Sequence, residues 1–382
     1  MHSIVLDRKQ LGRRKREIDR KDGNMKNKIK FVQFGCGKMG VHTAKFAMEK
    51  GAELVAAFDK NSAVIGKDIG THFGMNQMGV TISDADDADA VLGKLKPDIC
   101  IITTMSLMRD VRDAMLACAR NGVNAISTCE EAIFPWNSAP EITAEIDKVA
   151  REHGCTITGT GGNEAQYAGI FGLYGGSTHK TDKIVAKAQY NVDDYGIALA
   201  KGHGVGLSAE EFEKEIAAAD KISEEERAEL IKNGEFLPSY VWNTNGWICD
   251  YLGLTVTHQT QQCIPKFSEK DIFSKTLDRI IPAGEVIGMG AVCTTSTEEG
   301  MVIETECIGI VYGEDDEDVY TSVTTGVPDT DIIVRRPDTV ETTCAIIVNR
   351  IPDVINAEAG FVPTSQMPTL KYRAGTLEQY CR

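Results

Sequence analysis

The sequence lacks any C-x-x-C pair: its 11 cysteines stand singly, and none is grouped with histidine at the spacing of a zinc site. A disulfide framework and a structural metal are thereby excluded from the reading, and the thiols are expected as small core residues of a reducing compartment. No run approaches the roughly 20 apolar residues that cross a bilayer, and the amino terminus has no charged-then-apolar leader. A soluble, intracellular (cytoplasmic) protein without a membrane partner is expected. Positive charge is also scarce, with 41 Lys and Arg against 56 Asp and Glu and a formal net charge of -15. That balance argues against a nucleic-acid backbone as partner and is compatible with cationic ligands.

What is present begins with length. A chain of 382 residues with 42% hydrophobic content is too long for one compact unit of ordinary size, so two domains are expected. Asp7 to Asn24 is basic, polar and without an apolar face, and reads as a disordered extension over residues 1–24, with Met25 opening the folded part. The expected division is a nucleotide-binding domain over 25–160 and an α+β substrate and dimerisation domain over 161–382, whose tail returns toward the first.

The most informative stretch runs from Lys28 to Lys60. A short apolar strand, Lys28 to Phe34, precedes Gly35-Cys36-Gly37-Lys38-Met39-Gly40, which spells G-x-G-x-x-G. Met39 to Lys50 has helical spacing, and a second strand, Glu53 to Phe58, ends in Asp59. Gly35 permits the tight turn, Gly37 lets backbone approach a pyrophosphate, and Gly40 lets helix and strand pack closely, with Lys38 and Met39 at the helix end facing the phosphates. Strand, fingerprint, helix and strand-terminal acid in that order specify a dinucleotide site. Asp59 would bind the adenosine ribose hydroxyls and repel a 2′-phosphate, which favours NAD, while Lys60 beside it leaves NADP open.

Strands and helices then alternate as far as "CTITGTGG", which specifies a Rossmann-type, doubly wound parallel sheet. In such sheets ligands sit at the carboxyl ends of strands, so Thr103 and Thr104, Glu130 and Glu131, and the stretch 159–163 are expected to converge on the nicotinamide end of the cofactor. The adjacent acids of "STCEEAIFPW" are expected to be catalytic, one of them serving; adjacent residues on a strand point opposite ways, so one alone faces the site. The alternative is that both cap or steer the following segment.

Beyond Asn163 the pattern changes to helices followed by alternating strands, as expected for a largely antiparallel sheet covered on one face. Ser208-x-x-Glu211 has the form of a capping box. Asn163 and Glu164 either bind polar groups of a substrate or cap a helix, and His203 either touches substrate or is an ordinary loop residue. Trp242, Asn245 and Trp247 either wall a pocket or belong to the core. The acidic run "GEDDEDVY" is read as a solvated hairpin turn, and the helical tail from Thr339 is expected to break at Pro352.

The fingerprint FGCGKMG, the segment STCEEAIFPW, HGVGLSAEEFE and the tail VETTCAIIVNRIPDVINAEAGFV together resemble the family of 2,4-diaminopentanoate dehydrogenase and the native amine dehydrogenases, built like dihydrodipicolinate reductase. The resemblance implies NAD(P)-dependent oxidative deamination of 2,4-diaminopentanoate to 2-amino-4-oxopentanoate with release of ammonia, a step of ornithine breakdown, in a homodimer. It also implies that one glutamate of the pair anchors and deprotonates the amine. Many relatives carry a T-G-V-N-P-G type loop where this chain has GTGGNEAQYAG, 159–169. A second enzymatic reading, a cyclic-imine or sugar oxidoreductase of the same build, meets the difficulty that Glu131-Ala132 does not supply the E-K-P lysine of the sugar enzymes. A third reading is a non-catalytic NAD sensor.

Overall fold

The computed structural model describes residues 27–382, so the extension expected over 1–24 lies outside the described residues. Strand β1 (Lys30–Phe34) buries Phe31 and Val32 on opposite faces, as a strand covered on both sides must. The glycine turn leads into α1 (Lys38–Glu49) and then β2 (Glu53–Asp59). The alternation continues through β3 (Ile82–Asp84), α2 (Ala88–Leu95), β4 (Ile99–Ile102), α3 (Met108–Arg120), β5 (Asn124–Ser127), α4 (Pro140–His153) and β6 (Thr156–Gly159). These strands lie in the order β6-β5-β4-β1-β2-β3, every neighbouring pair parallel. Chain order reverses between β1 and β4, which opens a crevice at their carboxyl ends.

A seventh strand, Gly360–Phe361, comes from the far end of the chain and pairs with β6. It follows the helix Thr339–Asn356, which lies against α1 and places the Cys344 thiol 3.2 Å from the Thr43 hydroxyl. The expected break at Pro352 does not occur: the helix runs through it. The physical reason is burial on both sides, with Ile347, Val348, Ile351 and Val354 all in the core. Four such side chains, at about 1.5–3 kcal/mol each, outweigh the roughly 3 kcal/mol cost of the proline.

The second sheet has six strands: β7 (Lys180–Asn191), β8 (Val256–Phe267), β9 (Val286–Thr297), β10 (Val302–Ile310), β11 (Val319–Val327) and β12 (Thr330–Arg335). Their order is β12-β11-β7-β10-β9-β8. It is mixed rather than wholly antiparallel, because β7 and β10 run parallel at its centre. The helix Trp242–Leu252 covers one face, where the Asn245 side-chain amide donates to the Thr295 hydroxyl at 2.9 Å and its carbonyl accepts from Thr305 at 2.7 Å. Trp242 and Trp247 are buried with it, so all three residues belong to the core. The opposite face leaves Ile264, Val323 and Ile333 exposed. Ser208 and Glu211 form the expected capping box, and the acidic run turns on a 2.8 Å bond from the Gly313 N–H to Asp316. No helix among the described residues is long and apolar enough to cross a membrane.

Candidate active site

The crevice at the β1–β4 switch is a cleft of about 940 Å³ lined by Gly35, Gly37, Asp59, Thr103, Thr104 and Arg109, among others. Gly35 has φ +90, and a side chain there would lie 2.8 Å from the Thr103 carbonyl oxygen. A side chain on Gly40 would lie 2.0 Å from the Gly35 carbonyl, so helix and strand are as close as glycine allows. Gly37 faces open space. The first-turn N–H groups of Lys38, Met39 and Gly40 have no partner within α1, and so present donors to an anion. Asp59 holds the loop from below: its carboxylate accepts the Cys36 N–H at 2.7 Å and the Asn61 N–H at 2.8 Å. Thr103 donates to the Gly35 carbonyl at 3.0 Å and is thus a brace of the loop, whereas Thr104 is exposed in the cleft. This turn, helix end and carboxylate fit an NAD(P) pyrophosphate and ribose.

The two adjacent acids part company. Neither is on a strand: β5 ends at Ser127, Glu130 has helical angles (φ -62, ψ -40), and Glu131 opens a 3₁₀ turn. In such a turn successive side chains diverge by about 120°. Glu131 is buried; its carboxylate accepts the Met108 N–H, at the start of α3, at 2.5 Å and the Ser138 hydroxyl at 2.6 Å. Ser138 in turn accepts from Asn243 at 2.7 Å. Glu131 therefore joins three segments and caps a helix from outside it. One of the pair alone was expected to serve; Glu131 has both oxygens engaged, and it also lines the larger cavity lobe, where burial raises its carboxyl.

Glu130 turns the other way, into a cavity between the two sheets. Two lobes, of about 340 and 210 Å³, meet at Glu130, Ser106 and Tyr240. Burial pushes the Glu130 carboxyl above its ordinary range, and a hydrogen bond from Ser106 only partly offsets this. No ion pair reaches Glu130 among the described residues. The smaller lobe is walled by Tyr190, Tyr195, Tyr240 and Tyr320, with Cys307 between them. Burial keeps all four phenols protonated, Tyr320 pushed up to about 12.

This wall escaped the sequence reading, although strand periodicity contained the part of it that lies on strands. Ala188 of β7 is flanked in register by Tyr320 of β11 and Cys307 of β10, forming one inward row across three strands, with Tyr190 two positions on. Asp220, in the larger lobe, was also missed and carries no local signal.

Two further expectations are corrected. Glu164 does not face the cavity: it is buried in an ion pair with Arg350, whose Nε lies 3.1 Å away, and accepts the Thr160 hydroxyl. His203 lies behind the wall rather than in it. Its Nδ1 is 2.9 Å from the Leu199 carbonyl and its Nε2 2.8 Å from the Tyr190 hydroxyl, and the ring stacks on Tyr240. Burial lowers the His203 pKa, so the ring is neutral, donates through Nδ1 and accepts the Tyr190 proton at Nε2. Asn163 lines the cavity and fixes it, its amide donating to the Tyr240 carbonyl at 2.8 Å.

Comparison with known proteins places this geometry. Residues 29–129 match the dihydrodipicolinate reductase N-terminus, and residues 170–382 match the 2,4-diaminopentanoate dehydrogenase C-terminal domain. The chain is 24% identical over 353 residues to 2,4-diaminopentanoate dehydrogenase of Acetoanaerobium sticklandii, covering 89% of this chain and 94% of that one. Its structure is similar to that of an amine dehydrogenase from Mycobacterium smegmatis, with TM-score 0.78 and 33% identity over 91% of this chain and 98% of the other. The myo-inositol 2-dehydrogenase of Lactobacillus plantarum shares the fold alone, at TM-score 0.51 and 13% identity over 86% and 89% of the two chains.

Proposed function

The chain belongs to the family defined by the 2,4-diaminopentanoate dehydrogenase C-terminal domain and acts as an NAD(P)-dependent amine dehydrogenase, and from that premise we propose that Glu130 is its catalytic base. The observation that carries the assignment is a carboxylate without a cation in a cavity whose Ser106 and Leu107 directly follow Thr104 and Met105 of the dinucleotide cleft. An amine reaches the site as an ammonium, whose nitrogen has no lone pair. Glu130, raised in proton affinity by burial, draws the ammonium in and takes its proton. The bound nicotinamide supplies the hydride acceptor. As the C–H electron pair leaves, the nitrogen lone pair forms the C=N bond, and the resulting iminium sits among the hydroxyl oxygens of Ser106 and the tyrosine wall.

Once the carboxyl has released its proton to solvent, Glu130 serves again, taking a proton from the water that adds to the iminium carbon. Glu130 returns that proton to the carbinolamine nitrogen, ammonia leaves, and the hydroxyl gives its proton back to the carboxylate, so that a carbonyl remains. Ser106 orients the carboxyl throughout, and the protonated tyrosines give a wall that carries no charge. The substrate we put forward is 2,4-diaminopentanoate, oxidised at C4 to 2-amino-4-oxopentanoate in cytoplasmic ornithine breakdown. NAD is the preferred cofactor, because the Asp59 carboxylate at the end of β2 repels a 2′-phosphate. The proposal includes a homodimer formed through the uncovered face of the six-stranded sheet, where Ile264, Val323 and Ile333 are exposed.

The test is reduction of NAD and NADP by the purified protein with 2,4-diaminopentanoate, followed at the nicotinamide absorbance band with ammonia assayed in parallel. Glu130→Gln is expected to lower kcat by about 10²–10⁴-fold while leaving cofactor binding in place. Full turnover in that variant would remove the assignment.

A further inference from the structure

Two arginines are buried among the described residues, and their surroundings differ. Arg350 meets Glu164, Asp353 and the Pro368 carbonyl. Arg227, on the helix Glu224–Lys232, is 7% exposed, and its Nε is fully buried without a hydrogen-bond partner. No ion pair reaches its guanidinium among the described residues, although Glu224, Glu225 and Glu226 directly precede it on the helix. The guanidinium carbon lies 5.6 Å from the centre of the Trp242 ring. That contact offsets part of the cost of a buried charge and supplies none of the missing hydrogen bonds.

The second observation is the space beside it. Arg227 lines a pocket of about 270 Å³ that shares no residue with the dinucleotide cleft or with either lobe of the cavity at Glu130. The other polar side chains of this pocket are engaged. Glu224 meets His258, the Thr257 hydroxyl donates to the Ser296 carbonyl at 3.0 Å, and the Gln259 amide donates to the Trp242 carbonyl at 2.8 Å. The Trp242 indole N–H is spent on the Asn137 carbonyl at 3.1 Å. Ala228, Ile231, Val256 and the Trp242 ring make the rest of the lining apolar. Arg227 is therefore the one polar side chain of the pocket left unmatched, and a guanidinium presents paired N–H donors at the spacing of a carboxylate.

We propose that Arg227 anchors a second ligand site, which takes a small carboxylate carried on an apolar body. The carboxylate lies against the guanidinium, and the hydrocarbon part against Ile231, Val256 and Trp242. An apolar lining favours such a ligand over a phosphate, whose remaining oxygens would lose water without gaining donors. The site goes beyond the amine dehydrogenase reading and does not depend on it.

The experiment is calorimetric titration of the full-length protein, loaded with reduced nicotinamide dinucleotide so that no amine is oxidised. The probes are hexanoate, acetate and inorganic phosphate. Hexanoate is expected to bind at one site per chain, at least about 10-fold more tightly than either of the others, and equally well with 2,4-diaminopentanoate present. Arg227→Gln removes the charge, whereas Arg227→Lys keeps the charge and the stem over Trp242 but loses the paired donors. Each is expected to weaken hexanoate at least about 10-fold while amine turnover stays at the wild-type value, and the lysine variant serves if the glutamine variant does not fold. Failure of hexanoate to bind the wild type, undiminished binding in the variants, or competition with the diamine overturns the proposal. Phosphate binding more tightly than hexanoate overturns the carboxylate class. A wild type indifferent to hexanoate, with a variant whose sedimentation shows a lost oligomer, would give Arg227 to an acidic side chain of a second copy and overturn the site equally.

Discussion

Glu130 and Glu164 are both removed from bulk water, and the structure treats them in opposite ways. Around Glu164 every charge is matched. Arg350 spans Glu164 and Asp353 and donates to the Pro368 carbonyl, and Arg373 reaches the other Asp353 oxygen at 2.6 Å. This network ties the helix Thr339–Asn356 and the tail to the segment that follows β6. Around Glu130 there is one hydroxyl and no cation. Where charges are paired the protein has built a scaffold; the carboxylate of Glu130, left without a cation, is the one the proposed function assigns to the substrate's ammonium.

The comparison breaks most visibly at Arg350. Its side chain is 1% exposed, and Arg350→Met would leave Glu164 with the Thr160 hydroxyl but no cation, and one oxygen of Asp353 without a partner. Loss of one member of a buried pair costs about 3–5 kcal/mol, which thermal unfolding should register as a large fall in Tm. Limited proteolysis should find the tail beyond Asn356 released first. A variant as stable as the wild type would mean that the paired network contributes no scaffold.

Glu131→Gln sharpens the contrast within one dipeptide. The Met108 N–H and the Ser138 hydroxyl each need an acceptor, and the glutamine offers one carbonyl where the carboxylate offered two oxygens. A buried donor left unmet costs about 1–3 kcal/mol, smaller than the effect at Arg350 and visible as lowered stability. Turnover per folded molecule should stay close to wild type, the reverse of the pattern at Glu130. A collapse of kcat in a well-folded Glu131→Gln protein would return both acids to the reaction.

How far the sequence could be read follows from the range of the interactions. The fingerprint was legible because its spacing is local: Gly35 takes the positive φ of the turn, and Gly40 must be bare because it meets Gly35. The strand ends that frame the cleft were legible for the same reason. The division of labour between Glu130 and Glu131 was not, because it is set by Met108, Ser138 and Asn243, which only the fold brings to one turn. Glu164 could be read only as a substrate residue or a helix cap, because its partner, Arg350, stands far along the chain. The tyrosine wall joins two strands whose pairing no local pattern states, carrying Tyr190 and Tyr320, with turns carrying Tyr195 and Tyr240, although Ala186, Ala188 and Tyr190 share one inward face of β7.

The smallest effect separates the two regions by their pH dependence. A carboxyl whose proton affinity is raised in the folded state stabilises the protein only while protonated. For Glu130 that contribution is present below its unfolded pKa, about 4.3, and is lost as pH rises through the higher folded value. At acid pH, where the carboxyl is neutral folded or unfolded, Glu130→Gln and wild type should therefore melt together. As pH rises the wild type alone must hold an unmatched charge in the cavity, so the variant should become the more stable of the two even as it loses turnover. A diamine added at neutral pH should reverse the order, because it meets the charge in the wild type and finds an uncharged amide in the variant. Melting curves with and without pentane-2,4-diamine measure this, and a Glu130→Gln protein less stable than wild type at every pH would place Glu130 with Glu164 among the scaffold.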